Sequence, residues 1–234
     1  GTHTIGEFPK LLKDRINTEK KQLSILKDTS EIPEFENSRR LHSHKALVNI
    51  TYGCNNFCTY CVVPYTRGRE KSRSLSEVAS EVECLARDGV KEVMLLGQNV
   101  NSFKDSKGHD FADLIRKIND IDGVERIRFM TSHPKDISDK LIDCYRDCEK
   151  LCKNIHLPVQ AGNDEILKRM NRHYNISRYL DIISKLRAAC SDIAISTDII
   201  VGFPGESEEQ FEDTLNLVKE VEYDSAFTFL YSPR

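Results

Sequence analysis

Three cysteines, Cys54, Cys58 and Cys61, stand at the spacing Cys-x3-Cys-x2-Cys just after the apolar run Ala46-Leu47-Val48-Asn49-Ile50. On a loop leaving a strand, such a set can converge on one soft metal centre. It supplies three ligands where a closed zinc site or a simple ferredoxin cluster needs four, so one coordination position stays open to an outside ligand. In a [4Fe-4S] cluster held this way, the fourth iron can chelate the amino and carboxylate groups of S-adenosylmethionine (SAM). An electron from the cluster can then break a sulfonium carbon–sulfur bond to give a 5′-deoxyadenosyl radical. The cofactor carries that chemistry, and the protein orients it and excludes water. A zinc site or incidental cysteines would use the same residues, but Tyr60, an aromatic directly before the last cysteine, favours the cluster.

The elements that must position this loop follow from hydrophobic periodicity. From Ala46 onward, short β-type runs alternate with helical patterns. Strands are expected at 46–50, 92–96, 126–130, 154–157, 193–200 and 226–230, and the cysteine loop follows the first. Helices are expected from Ser74, where Ser74 and Glu77 have capping-box spacing, and near 111–118. Further helices should follow Ser138, cover 164–170 and 178–190, and start at Ser207, with Gln210 completing a second capping box. Six consecutive β-then-α units imply parallel strands joined by right-handed crossovers, as a doubly wound sheet or a barrel-like arrangement. Phe8, Leu11, Leu12 and Ile16 suggest one earlier helix, and the polar stretch 17–45 a linker or a strap over another domain.

With 234 residues, 39% hydrophobic and 30% charged, the chain suits a soluble globular protein with one sizeable core. No apolar run approaches the ~18 residues that span a bilayer, and no signal peptide is evident, so a cytoplasmic protein without membrane contact is expected. The eight cysteines do not follow the spacings of a secreted disulfide scaffold, which points to a reducing compartment. Cys144, Cys148 and Cys152 are four apart, the spacing of a packed helical stripe and not of a second cluster. A net charge of −3 neither advertises nor excludes a nucleic-acid partner, which needs only a local basic patch. Arg67, Arg69, Lys71 and Arg73 alternate after the cysteine loop and could supply one, with Arg172 and His173 as a weaker pair.

The stretches Tyr52-Gly53-Cys54 and Cys61-Val62-Val63-Pro64-Tyr65-Thr66-Arg67-Gly68-Arg69-Glu70 resemble the radical-SAM methylthiotransferase family, and within it the MiaB-type branch that acts on tRNA. The resemblance covers nearly the whole chain. It implies an α/β fold, a six-stranded parallel partial (βα) barrel of the radical-SAM type, with chemistry at the carboxyl ends of the strands. It also implies that 1–45 is the tail of an amino-terminal domain plus a linker. Residues 46–234 would be the radical-SAM core, ending before a carboxyl-terminal TRAM domain.

By the same resemblance, Cys54, Cys58 and Cys61 hold the radical-generating [4Fe-4S] cluster, and a second [4Fe-4S] cluster belongs to the amino-terminal domain. The SAM contacts are expected from Tyr60, Gly97, Gln98, Ser132, Gln160, Gly162, Asp198, Gly202 and Phe229. Leu96-Gly97-Gln98 departs from the Gly-Gly-Glu common in radical-SAM enzymes, with an amide in place of the carboxylate that meets the methionine amino group. Gln160 offers an amide to the ribose, Gly202 a close approach for the adenine edge, and Phe229 a wall of the adenine pocket. Arg67, Arg69 and Asn101 are the substrate candidates, and His133 is a general-base or structural histidine.

The implied reaction adds a methylthio group to carbon 2 of isopentenyladenosine beside the anticodon of tRNA, with a flavodoxin or ferredoxin as electron donor. A sister branch methylthiolates a ribosomal-protein aspartate, and another acts on threonylcarbamoyl-adenosine. From a different class, a non-catalytic iron-sulfur sensor or RNA-binding module would share the cysteines.

Overall fold

In the computed structural model of the chain, residues 2–24, 40 and 42–233 are described. Most of the polar stretch expected as a linker or strap, 25–39, lies outside them. Parallel strands dominate. β1 (Lys45–Asn49), β4 (Glu92–Leu96) and β5 (Arg126–Phe129) pair in that order, as do β6 (Asn154–His156), β7 (Ala194–Val201) and β8 (Ser225–Leu230). One parallel bridge, Ile127 to Leu151, joins the two sets, with Ile127 N donating to Lys150 O at 2.7 Å and Cys152 N donating to Ile127 O at 3.0 Å. The six strands therefore follow one another in sequence order, and among the described residues β1 and β8 are not paired. The result is an open, partial barrel.

Each strand returns to the sheet through helix, and the helix starts are set by side chains. Ser74 with Glu77 opens α3 (Leu75–Arg87), Asp110 with Asp113 opens α4 (Phe111–Asn119), and Ser207 with Gln210 opens α8 (Glu208–Val221). All three are reciprocal capping boxes, which satisfy two orphan N–H groups at once. Ser138, Asn163 and Asn175 cap α5 (Asp139–Asp147), α6 (Asp164–Arg169) and α7 (Ile176–Ala189). The core lies between these helices and the outer sheet face, where Val48, Leu95, Ile127, Ile155 and Ile195 are fully or nearly buried. Alternate strand residues face the other way. Leu47, Phe227 and Phe229 on that set stay 70%, 55% and 54% exposed, so the concave side is open.

The floor of the concave side is ionic. At the amino ends of the strands, buried Glu92 bonds Lys45 at 3.3 Å, Arg126 at 3.0 Å and Arg128 at 3.5 Å. Burial pushes its carboxyl up, but the three cations outweigh that and hold it below the ordinary range. Cys144, Cys148, Cys152 and Cys190 also lie towards this end, away from the cysteine loop. The expected amino-terminal helix is present as α1 (Phe8–Thr18), yet Phe8, Leu12 and Ile16 are 60%, 47% and 69% exposed.

Two short strands were not apparent from periodicity. β2 (Thr51–Tyr52) and β3 (Lys71–Ser72) pair antiparallel and close the neck of the cysteine loop, which also contains the one-turn α2 (Val63–Arg67). Gly162 shows how tightly the outer layer is seated. A Cβ there would lie 2.5 Å from Thr214 Cα and 2.7 Å from Asp213 O of α8. Gly162→Ala is therefore expected to cost about 1–3 kcal/mol by overpacking, and Ser207→Ala about 1 kcal/mol by loss of the cap. Urea denaturation checks both, and a neutral Gly162→Ala would mean that α8 does not sit on that turn.

Candidate functional site

The cysteine loop begins with a turn that needs glycine. Gly53 has φ +71°, and a Cβ there would run into the backbone of Gly68 and Arg69. Its N–H donates to Gln98 Oε1 at 2.6 Å, tying the loop after β1 to the loop after β4. Cys54 N donates to Gly68 O at 3.2 Å and Cys61 N to Cys58 O at 2.9 Å, so the three cysteines ride on a closed, hydrogen-bonded coil. Cys54 and Cys58 are buried and Cys61 is half-buried. Burial, followed by the neighbouring Cys58 and other acidic groups including Cys61, pushes the Cys54 thiol up despite a backbone bond at Asn56.

A second turn, at the end of α6, holds the loop from behind. Thr59 N donates to Met170 O at 3.1 Å and Thr59 Oγ1 to Arg169 O at 3.1 Å. Asn171 Nδ2 donates to both Asn56 O and Phe57 O at 3.0 Å. Asn171 and His173 take left-handed φ values of +58° and +56°, a conformation that asparagine tolerates because its short amide bonds locally. Between them, Arg172 turns inward and is only 4% exposed. Its Nη1 reaches Cys58 Sγ at 3.5 Å and Tyr60 Oη at 3.2 Å, Nη2 reaches Pro158 O at 2.8 Å, and Nε reaches Tyr174 Oη at 3.2 Å. Arg172 is thus not a surface contact for an RNA phosphate. Arg169 extends the tie to the loop after β7 through the carbonyls of Pro204 and Gly205.

No group of three or more His, Cys, Asp or Glu side chains among the described residues is gathered to hold a single metal ion. An iron-sulfur cube asks for something else, since each thiolate takes its own iron. The surroundings fit a polar group at this end. Of five buried side-chain polar atoms without a hydrogen bond among the described residues, Thr51 Oγ1, Asn99 Oδ1, Ser132 Oγ and His133 Nε2 all lie in the segments that leave the carboxyl ends of β1, β4 and β5. Buried polar groups in a folded protein normally have partners.

The other expected site residues fall into two groups. Tyr60 is on the cysteine loop, Gln98 is bonded to its start through Gly53 N, and Ser132 is buried on the loop after β5. Asp198 faces the concave side of β7, where its Oδ2 lies 3.5 Å from His156 Nε2, a neighbour that periodicity did not single out. His156 Nδ1 also lies 3.0 Å from Ser196 Oγ. Gln160 is buried at φ +74°, its backbone N and O bonded to Asp198 O at 2.8 Å and Ile200 N at 2.9 Å. Arg67 and Arg69 are exposed, and Arg69 lies 4.7 Å over the Phe57 ring.

Gly97, Gly162, Gly202 and Asn101 also have structural duties, whereas Phe229 is open to solvent. A Cβ on Gly97 would run into the Thr51 side chain. Gly162 N donates to Thr214 Oγ1 at 2.8 Å, and Gly202 N to Glu206 Oε2 at 2.6 Å, so neither N–H points at a ligand. Asn101 is buried, its amide bonded to His133 O at 2.8 Å and His133 N at 2.9 Å, a strut between loops and not a surface contact. Phe229 sits on the exposed edge strand β8, opposite Ile200. Arg73 is engaged with Asn49 O and Glu81.

With this geometry in hand, comparison with known proteins is decisive for the family. The model of the Radical SAM superfamily matches residues 48–218. The chain belongs to that superfamily. This radical SAM chain is 57% identical over 236 residues to the tRNA-2-methylthio-N(6)-dimethylallyladenosine synthase of Thermoanaerobacter sp. (strain X514), covering 100% of this chain and 50% of that protein. It is 55% identical over 243 residues to the synthase of the same name from Clostridium botulinum (strain Hall), covering 100% and 52%. The chain therefore spans about half the length of these curated relatives. Among solved structures, the radical S-adenosylmethionine methyltransferase TsrM from Kitasatospora setae shares the fold, with TM-score 0.64 and 19% identity over 79% of this chain and 36% of that one. The six-stranded partial barrel expected from the sequence is the fold of this superfamily. No helix among the described residues is long and apolar enough to cross a membrane.

Two outcomes test the geometry without any metal. Asn171→Ala is expected to destabilise more than Asn171→Gly, by about 1 kcal/mol, because both lose the amide but only alanine resists the left-handed turn. Equal denaturation midpoints would remove the strained-turn account. His133 accepts Lys135 N at Nδ1, 3.2 Å, and burial, with Arg172 and Lys135 nearby, lowers its pKa to about 2. A histidine held neutral in the fold contributes stability above its unfolded pKa of about 6.5 and loses it as pH falls towards its folded value. Stability should therefore decline below about pH 6.5, with a shallower acid limb in His133→Gln. Parallel limbs in denaturation runs across pH would contradict this assignment.

Proposed function

We propose that this chain is the SAM-cleaving core of a tRNA methylthiotransferase that modifies carbon 2 of dimethylallyladenosine beside the anticodon. The observation that carries it is colinear similarity: 57% identity across the whole chain to enzymes whose name states that product. The cysteine loop supports the same assignment, since Cys54, Cys58 and Cys61 would hold a [4Fe-4S] cluster and leave one iron for SAM. When bound, these cofactors supply one-electron cleavage of a sulfonium bond, a route to an unactivated aromatic C–H bond.

The polypeptide's part is to bind, orient and exclude water. Gln98 and the 169–173 turn fix the start and the back of the cysteine loop. Ser132 Oγ and Asn99 Oδ1 are buried polar atoms available to a cofactor's polar groups. Asp198, half-buried beside His156, presents a carboxylate on the concave side. The apolar faces of Leu47, Phe227 and Phe229 would surround a base and its prenyl tail. An anticodon-loop base can be turned out to this face without opening a duplex. Arg67 and Arg69, exposed beside the cysteine loop, would contact the RNA backbone. A flavodoxin or ferredoxin would serve as electron donor.

The test has two arms. Anaerobically reconstituted protein with SAM and dithionite should release 5′-deoxyadenosine, and Cys58→Ala should not; an iron-sulfur sensor would release none in either form. Mass spectrometry of tRNA from cells lacking the full-length protein should show loss of the methylthio group from dimethylallyladenosine, and its persistence without a paralogue overturns the substrate. In the full-length protein, Arg67→Ala with Arg69→Ala should weaken tRNA binding and flatten the log–log salt dependence by about 1 per contact removed. An unchanged slope would remove these two residues from the interface.

A further inference from the structure

Tyr65 is 76% exposed, more than any other phenylalanine or tyrosine among the described residues. It stands on the one-turn α2 inside the cysteine loop, a segment anchored by buried Pro64. The amino-terminal turn Thr2–Glu7 passes beside α2 and still leaves the ring uncovered. Val62, whose carbonyl accepts Tyr65 N at 3.0 Å, is exposed as well. Single apolar side chains on a surface need no explanation, but a contiguous apolar set beside unpaired charge marks a contact surface.

The ring is held without being covered. Its centroid lies 5.8 Å from that of Phe57 at an interplanar angle of 83°, an edge contact that leaves a face free. Phe57 is fixed in turn, since its carbonyl accepts Asn171 Nδ2 at 3.0 Å and the Arg69 guanidinium lies 4.7 Å over its ring. Arg67 and Arg69 are exposed, and among the described residues neither forms an ion pair. Glu70, the one carboxylate in 62–70, is hydrogen-bonded to Ser102 instead. An open aromatic face thus stands beside two uncompensated guanidinium groups.

We propose that Tyr65 is a stacking platform for an unpaired RNA base adjoining the one that enters the concave side, with Arg67 and Arg69 on the phosphates next to it. This rests on the tRNA reading made above and adds a base contact to it. Proteins that hold single-stranded nucleic acid combine a basic track with rings on which bases stack, because every base offers a π face. The cysteine loop leaves β1 at its carboxyl end, so Tyr65 stands at the edge that nucleotides flanking an inserted base cross. The bare ring, which charge steering alone does not require, favours RNA over an acidic electron-carrier protein at this patch.

The experiment measures binding of an anticodon stem–loop oligonucleotide carrying dimethylallyladenosine to the full-length protein, by fluorescence anisotropy over a range of salt. Tyr65→Ala should raise Kd about tenfold with the salt slope unchanged, since no phosphate contact is lost. Tyr65→Phe should bind like wild type, and Tyr65→Leu like the alanine variant. The same measurements on stem–loops with an abasic site at each unpaired position complete a double-mutant cycle. At one position the abasic site should weaken wild type and abolish the effect of Tyr65→Ala. Unchanged Kd in Tyr65→Ala overturns the proposal. So does an equal loss against every abasic stem–loop, which would make Tyr65 structural, or full binding by Tyr65→Leu, which would make the contact apolar packing. Normal RNA binding by Tyr65→Ala with slower cluster reduction by flavodoxin would assign the patch to the electron donor and also overturn it. Wild-type protein that binds no stem–loop sinks the tRNA reading itself, a result distinguishable from all of these.

Discussion

A parallel strand cannot turn straight back on its neighbour, and the rest of this molecule follows from that restriction. Every return passes over the outer sheet face as helix, so all the loops that leave the strands at their carboxyl ends collect at one rim. The apolar cost of the arrangement is met on the outer face, where Val48, Leu95, Ile127 and Ile195 lie under the helices. The rim and the concave side are thereby released from packing duty and can carry polar groups. Local repairs keep the ladder intact where it is strained. Thr197 Oγ1 accepts from Val159 N at 2.9 Å and donates to Leu157 O at 3.0 Å, replacing backbone pairing where β6 ends.

The rim works as a chain of ties between loops. Gln98 links the loop after β4 to the cysteine loop, and Asn101 links it to the loop after β5. Asn171 and Arg172 link the cysteine loop to the end of α6 and to Pro158. Several residues expected as ligand contacts also serve as such ties, because a buried amide or a glycine N–H needs a partner and a neighbouring loop supplies one. Arg172 differs from the others in carrying a net charge, which its neighbours Pro158, Tyr60 and Tyr174 surround with oxygen atoms.

Much of this was legible in the sequence where the signal is local. The Cys-x3-Cys-x2-Cys spacing, the six β-type runs and the capping boxes at Ser74 and Ser207 each lie within a few residues and survive in the fold. The β2–β3 neck was not legible, since two-residue strands have no periodicity. The contacts of Asn171 with Asn56 and Phe57 join residues 115 and 114 apart, beyond any spacing argument. His156 reads as an ordinary strand residue until its register against Ser196 is known. Arg172 and His173 looked like a basic surface pair, and only the left-handed turns on either side of Arg172 explain why it faces inward.

The sheet itself has a seam. Between β5 and β6 the backbone is joined by one bridge, at Ile127 and Leu151. The cysteine loop grows from the first three strands, whereas the turn that grips it follows the fourth. The loop is therefore a staple across the seam: it fastens the two half-sheets to each other at the rim, while the shared core fastens them from outside, and together they set the width of the bowl.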